Sequence, residues 1–179
     1  MPTWYLTPAA LGYLAQLIMA LMITGYFGAR LMAPRASRPA HTVLLTGFFA
    51  CITLLALLFF LEATLLPTER LYALFLQNTA LGAGIVLLLQ FAYRFPDPFP
   101  QKWEARLALG LSLLYALYEA RYAAYRFWLV SAWGQVIFRP PWADYPIAIG
   151  LLWAPAVLLR QAGRASKQDL TGLGNLSGL

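Results

Sequence analysis

Ionisable side chains inside an otherwise apolar segment are the residues of this chain with the clearest chemical potential. Residues 107–130 contain Glu119, Arg121 and Arg126, and a charge at the centre of a bilayer costs about 2.5–3.5 kcal/mol on insertion scales. Glu119 and Arg126 are seven residues apart, so they share one face of a helix. Arg121 points elsewhere and would need Glu62 or a ligand as its partner. Charges held at that cost indicate a binding site or a contact between helices.

Further polar residues lie at a similar predicted depth in the neighbouring segments. Glu62 lies four residues before the end of the second apolar segment, and Gln77 and Asn78 lie about two turns into the third. Two carboxylates and two guanidiniums balance to zero, and four charges on two helices exceed what packing alone requires. We therefore predict a small polar pocket in the outer half of a membrane. Its expected ligand-binding residues are Glu62, Gln77, Asn78, Tyr118, Glu119, Arg121, Tyr122 and Arg126.

The same residues have a structural interpretation, which stays open at this point. A neutral set of Glu, Arg, Asn and Gln can hold helices together by interhelical hydrogen bonds. Arg126 can extend its guanidinium to the membrane interface. The tyrosines can belong to the aromatic belt at the membrane surface.

Several kinds of chemistry are excluded by the rarity of the necessary residues. Cys51 and His41 are the single cysteine and histidine, so this chain alone forms no disulfide, no thiolate cluster and no bis-histidine haem site. The intramembrane carboxylates fall in one half of the membrane, which disfavours a proton pump. No paired catalytic set is present, so we expect a protein that is not an enzyme, without catalytic residues, metal or cofactor.

The composition is that of an integral membrane protein. Of the 179 residues, 61% are hydrophobic and 11% are charged, against about 45–50% and about 25% in soluble domains. The mean hydropathy is +0.64. These values exclude an ordinary soluble domain, a disordered chain and a nucleic-acid-binding module, although the net charge is +6. We therefore expect membrane lipids and other membrane or cytoplasmic subunits as partners, and no nucleic acid.

Five apolar segments predict the elements that position the polar residues. Each of the first four is long enough to cross a hydrocarbon layer of about 30 Å as a helix. The fifth is shorter and contains Pro146 and Pro155, so it is only just long enough to span the hydrocarbon layer. Residues 131–141, before it, could lie on the membrane surface. We predict an all-α, polytopic membrane bundle of about five transmembrane helices, at residues 8–31, 42–66, 71–93, 107–130 and 142–159.

The basic residues predict the orientation of this bundle. One side receives nine of them, whereas Arg70 and Arg139 lie on the other side. Because positive charge is enriched in cytoplasmic loops, the N-terminus is expected outside and the C-terminus in the cytoplasm. Residues 1–161 would form the bundle, and residues 162–179 would form a short, flexible tail. Within the bundle region, Glu104 is expected in a solvated loop. The nine residues are Arg30, Arg35, Arg38, Arg94, Lys102, Arg106, Arg160, Arg164 and Lys167.

Three short elements resemble a known group of proteins over about residues 40–165. Residues 90–96 read QFAYRFP, the fourth helix carries Tyr118-Glu119 and Tyr125-Arg126, and residues 158–161 read LLRQ. Together they are similar to the N-terminal multi-helix membrane regions of bacterial signalling proteins, such as sensor histidine kinases. The resemblance implies a sensor in the plasma membrane that drives a cytoplasmic output domain. That domain would belong to a separate polypeptide or to a continuation of this chain.

The sequence thus favours a non-enzymatic sensory or ligand-binding module with a polar site in the outer half of the membrane. The alternative is a structural subunit of a larger respiratory, photosynthetic or transport complex, whose aromatic surfaces pack against partners, pigments or lipids. A lipid-modifying membrane enzyme is a third, weaker hypothesis, because the chain lacks a paired catalytic set.

Overall fold

The computed structural model describes residues 7–33, 40–65, 67–95, 102–136 and 140–176, without the side chains of 67–70 and 165–176. These residues form helices and turns, with no strand among them, so the predicted all-α fold is confirmed. The helices are α1 (Pro8–Met32), α2 (Ala40–Thr64), α3 (Pro67–Arg94), α4 (Lys102–Trp133), a 3₁₀-helix (Pro141–Asp144) and α5 (Tyr145–Leu176).

The first helix begins at a capped N-terminus. The Thr7 hydroxyl accepts a hydrogen bond from the backbone N–H of Ala10 at 3.1 Å, and Pro8 occupies the first helical position. A capping hydroxyl satisfies one of the free N–H groups of the first turn, and proline there loses no helical hydrogen bond. Helices α1 and α2 have 25 residues each. At about 1.5 Å per residue, each is longer than the hydrocarbon layer of about 30 Å.

Helices α1 to α4 run antiparallel in chain order. Tyr13, early in α1, stacks on Phe59, late in α2, and Phe27, late in α1, stacks on Phe49, earlier in α2. These two pairs show that α1 and α2 run in opposite directions. Helix α3 packs against α2, α4 and α5 and is the centre of the bundle. We call one end of the bundle the Thr7 end; Thr64 and Leu71 lie there too. The other end is the Arg94 end, where Met32 and Lys102 also lie.

Small residues allow the close approach of helices to α3. Gly84 on α3 faces Cys51 of α2, where an added Cβ would lie 3.5 Å from the cysteine Cβ. Gly150 on α5 faces Ile85, where an added Cβ would lie 2.6 Å from Cγ2. The contacts around α3 bury the main core cluster, which consists of Ile85, Leu89, Ala92, Tyr93, Ala108, Ala154 and Val157.

Four helices of the described part of the chain are long and apolar enough to cross a membrane. They cover Pro8–Met32, Ala40–Thr64, Leu71–Arg94 and Pro141–Arg164. Many of their large apolar side chains face outward, as in Met19 and Met22 of α1, which is expected where the surroundings are lipid. The sequence predicts five spans, with the fifth as the marginal one. In the structure α4 is instead the helix outside this set, because its charges and tyrosines lower its apolar content.

The start of α5 lies deep in the bundle, beside the middle of α4. The Tyr115 hydroxyl donates to the backbone carbonyl of Ala143 at 3.3 Å. Tyr115 lies 18 residues, or about 27 Å, before Trp133, the last residue of α4. The expectation that residues 131–141 lie on the membrane surface stays a prediction. Helix α4 continues to Trp133, and Pro141 begins the 3₁₀-helix far below that end.

Helix α5 runs in the same direction as α3 and extends beyond the bundle. It continues through Pro155 to Leu176, so the stretch predicted as a tail is helical over residues 162–176. Three residues that determine the predicted orientation, Arg35, Arg38 and Arg139, lie outside the described residues.

Candidate functional site

The Thr7 end contains a cavity of about 510 Å³ between α1, α2 and α3. Glu62 of α2 and Gln77 of α3 line it, and the Gln77 side-chain amide donates a hydrogen bond to the Glu62 carboxylate. Gln77 is buried and Glu62 is half-buried. The contact joins the last turn of α2 to α3, about three turns after the start of α3. Two of the predicted site residues thus lie together at the cavity wall, one of them with a carboxylate.

Aromatic and small side chains form the rest of this cavity. The rings of Tyr13 and Phe59 stack at a centroid distance of 5.4 Å and an interplanar angle of 15°. Thr7 lies at its edge, together with alanine and leucine side chains. Tyr13, Phe59 and Thr7 are absent from the predicted site. Tyr13 and Phe59 could be found only by knowing that α1 packs antiparallel to α2.

Glu119 and Arg126 lie in a different place, on the buried side of α4. Their exposed fractions are 2% and 5%, so both charges are almost fully removed from the surroundings of the bundle. The Arg126 guanidinium lies 4.2 Å from the centre of the Phe75 ring and 5.5 Å from that of Tyr122. Cation–π contacts of this kind gain strength when the cation is desolvated. Glu119 and Arg126 are thus both buried, as expected for residues on one face, and Arg126 contacts Phe75 of α3.

Tyr118 and Arg121 lie on the opposite, exposed side of α4. With Tyr122 and Tyr125 they line a shallow crevice of about 290 Å³, and the rings of Tyr118 and Tyr122 stack at 6.0 Å. Arg121 makes no hydrogen bond or ion pair with any described residue. The structure therefore does not bring Arg121 to Glu62, which lies at the cavity of the Thr7 end.

Seven of the eight predicted residues consequently occupy three locations instead of one pocket. Glu62 and Gln77 line the cavity at the Thr7 end, and the buried side of α4 carries Glu119 and Arg126, with Tyr122 against Arg126. Tyr118 and Arg121 face outward. Asn78, next to Gln77, is half-buried and lies outside all three sets of contacts.

A polar network that the sequence does not predict links α3, α4 and α5 near the Arg94 end. The Trp153 indole donates to the Tyr93 hydroxyl at 2.9 Å, and that hydroxyl donates to Glu104 at 2.9 Å. The Arg160 guanidinium donates to both carboxylate oxygens of Glu104 at 3.0 and 3.1 Å. The expectation of a solvated Glu104 is wrong, because the first turn of α4 faces α3 and α5. Arg160, interpreted only as a topology signal, is its ion-pair partner.

Within the described residues, no three His, Cys, Asp or Glu side chains come together as metal ligands would. Cys51 is half-buried at the α2–α3 contact. The described polar residues thus offer hydrogen bonds, cation–π contacts, the ion pair of Arg160 with Glu104, and one carboxylate at the wall of the cavity.

The chain matches no family model, no curated protein and no solved structure. The resemblance to the membrane regions of sensor histidine kinases therefore stays a prediction.

Proposed function

We propose that this chain is a non-enzymatic, multi-pass membrane protein that binds a small ligand at the Thr7 end and changes its helix packing in response. The observation that carries the proposal is the cavity of about 510 Å³ with Glu62 and Gln77 on its wall. Ligand sites commonly have volumes of about 300–1,000 Å³ and a few polar groups on an otherwise apolar lining.

The proposed orientation places the Thr7 end outside and the Arg94 end in the cytoplasm, in the plasma membrane of a bacterium. Arg30, Arg94 and Lys102 lie at the Arg94 end, as the enrichment of basic residues on the cytoplasmic side requires. The ligand would then enter from outside, and the extension of α5 would face the cytoplasm.

Helix α3 provides the route from the cavity to the other end. It carries Gln77 at the cavity wall and Tyr93 in the network with Glu104 and Trp153. A ligand that binds one arrangement of α2 and α3 more tightly than another shifts the protein toward that arrangement. The shift would reach α5 through Tyr93 and Trp153. This sequence of contacts supports the sensory role that the resemblance implies.

The orientation can be tested by labelling introduced cysteines in intact cells. In a Cys51→Ala background, Ala63→Cys at the cavity wall should react with a membrane-impermeant maleimide. Ala162→Cys, exposed on α5, should react only after the membrane is permeabilised. The reverse pattern would refute the proposed orientation.

Ligand binding can be tested by native mass spectrometry of the protein purified in mild detergent. The wild type should retain a small non-lipid molecule that Gln77→Leu loses. Gln90→Leu is the matched control, because Gln90 is also buried on α3 but bonds the Ala105 carbonyl at 3.4 Å near the Arg94 end. If the wild type and both variants carry only lipid, the proposed function is wrong.

The exposed crevice of α4 favours a second candidate, a structural subunit of a larger complex. Arg121 lies about 21 Å along α4 from Leu107, within the thickness of a hydrocarbon layer. Its guanidinium and the flanking tyrosines face outward, where an acidic or carbonyl-rich surface of another subunit would bind them. In that case protein partners should co-purify at fixed stoichiometry, and Arg121→Leu should release them.

A further inference from the structure

The Glu62 carboxylate has no cationic partner among the described residues. Its hydrogen bond from Gln77 is the one polar contact that the described chain gives it. That bond uses Oε2, so Oε1 accepts no hydrogen bond from the described residues. A carboxylate in apolar surroundings is costly unless it is paired. The cavity therefore has one negative charge, no basic side chain on its described lining, and a free acceptor oxygen.

Two aromatic rings complete a binding surface for a cation at this cavity. Tyr13 and Phe59, from α1 and α2, both line it. Aromatic faces attract ammonium groups, above all where water is excluded. The same bundle already holds a cation in this way, because the Arg126 guanidinium lies 4.2 Å from the ring centre of Phe75.

The lining also limits the kind of cation. Calcium requires six to eight oxygen ligands and magnesium a near-octahedral set, whereas the described lining offers one carboxylate and few other oxygens. An organic ammonium needs one acceptor for its charge and an apolar surface for its carbon groups. An anion would meet the charge of Glu62 with no basic residue to offset it.

We infer that the cavity at the Thr7 end binds a small organic cation, an amine or quaternary ammonium compound, between Glu62 and the Tyr13–Phe59 pair. The inference rests on the proposed ligand-binding function of this cavity and names the class of its ligand. The ammonium group would lie against the free carboxylate oxygen, and its carbon groups would pack on the rings.

The test uses the full chain in lipid nanodiscs and isothermal titration with three probes of similar shape. Benzyltrimethylammonium is the cation, benzyl alcohol the neutral compound and benzenesulfonate the anion. The cation should bind at millimolar concentration or below, and at least about tenfold more tightly than the other two. This comparison requires no variant, so it holds whatever the folding of the variants.

Variants then locate the site. Glu62→Gln keeps the side-chain shape and removes the charge, so it should weaken cation binding at least about tenfold. Phe59→Leu should weaken it about fivefold. Phe49→Leu is the matched control: Phe49 forms the equivalent stack with Phe27 on the same two helices, at 5.5 Å, and lies outside the cavity lining. Binding by Phe49→Leu should equal that of the wild type.

The outcomes separate this inference from the proposed function. If the neutral or anionic probe binds as tightly as the cation, or if Glu62→Gln binds the cation unchanged, the inference on ligand class is wrong while a ligand cavity remains. If none of the probes binds and native mass spectrometry also finds no retained molecule, both are wrong. Equal losses in Phe59→Leu and Phe49→Leu would show a general packing effect and overturn the assigned site.

Discussion

Glu104 should stabilise the bundle mainly as the acceptor for Tyr93, and less as the ion-pair partner of Arg160. Tyr93 is only 1% exposed, and loss of the acceptor for a buried hydroxyl costs about 1–3 kcal/mol. The Arg160 side chain is 48% exposed and that of Glu104 is 15% exposed. Ion pairs with such access to solvent contribute about 0–1 kcal/mol.

Two substitutions of Glu104 separate these contributions. Glu104→Gln keeps a carbonyl oxygen for the Tyr93 hydroxyl and removes the charge, so the free energy of unfolding should fall by about 0–1 kcal/mol. Glu104→Leu removes both interactions, and the loss should be about 1–4 kcal/mol. Gln and Leu have similar helix propensities. Both variants also lose the favourable charge in the first turn of α4 equally, so their difference measures the hydrogen bond.

The assay is reversible unfolding in mixed micelles by titration with dodecyl sulfate, followed by far-ultraviolet circular dichroism. Arg160→Gln serves as the control, because it removes the cation and leaves the bond from Tyr93 to Glu104. It should match Glu104→Gln within about 0.5 kcal/mol. If Glu104→Gln loses as much stability as Glu104→Leu, the ion pair dominates and the reasoning from burial is refuted.

Two further predictions concern helix contacts. Gly150→Ala should lower the free energy of unfolding by about 1–3 kcal/mol, because the new Cβ would lie 2.6 Å from Cγ2 of buried Ile85. Gly110→Ala is the control, because an added Cβ there meets no neighbour within 4 Å. In the same unfolding assay it should be neutral or slightly stabilising. A double-mutant cycle of Arg126→Met with Phe75→Leu should give a coupling energy of about 0.5–2 kcal/mol for the buried cation–π contact. A coupling near zero would show that the ring contributes packing alone.

The elements of the fold follow from the sequence, because they depend on local properties. Runs of apolar residues and the breaks between them predict five helices, and the described residues contain five α-helices that overlap those positions. The position of α5 cannot be predicted from the sequence in the same way. It depends on how far the chain runs back along α4 after Trp133, to the point where the Ala143 carbonyl accepts a hydrogen bond from Tyr115. A count of apolar residues predicts helix length but carries no information on the depth at which a helix begins.

The predicted site residues are divided among separate places for a similar reason: their grouping depends on how helices pack, which local sequence does not determine. Spacing along a helix correctly placed Glu119 and Arg126 on one face, since that relation lies within a single helix. It could not tell which face of α4 meets α3, because lipid is as apolar as a helix contact and leaves no difference in hydropathy between the two faces. Arg121 was therefore grouped with Glu62 by depth alone, although the two lie at separate surfaces.

The missed network at the Arg94 end shows a limit of charge-based topology. Arg160 satisfies the positive-inside pattern, and that explanation left no reason to seek a partner for it. Glu104, predicted to lie in a solvated loop, likewise needs no partner from another helix. Each residue has a sufficient local explanation, and the contact between them exists only because α4 and α5 both pack on α3.

If the cavity and the network are coupled through α3, their coupling must be reciprocal. A ligand that changes the contacts of Tyr93 with Glu104 must have its own affinity changed, by the same factor, when those contacts are weakened. Glu104→Leu should therefore shift the affinity for benzyltrimethylammonium, although Glu104 lies outside the cavity lining. Glu104→Gln, which keeps the acceptor for Tyr93, should leave the affinity close to that of the wild type. Identical affinities in the wild type and in both Glu104 variants would mean that the two ends respond independently, so that α3 transmits no signal even if the cavity binds its ligand.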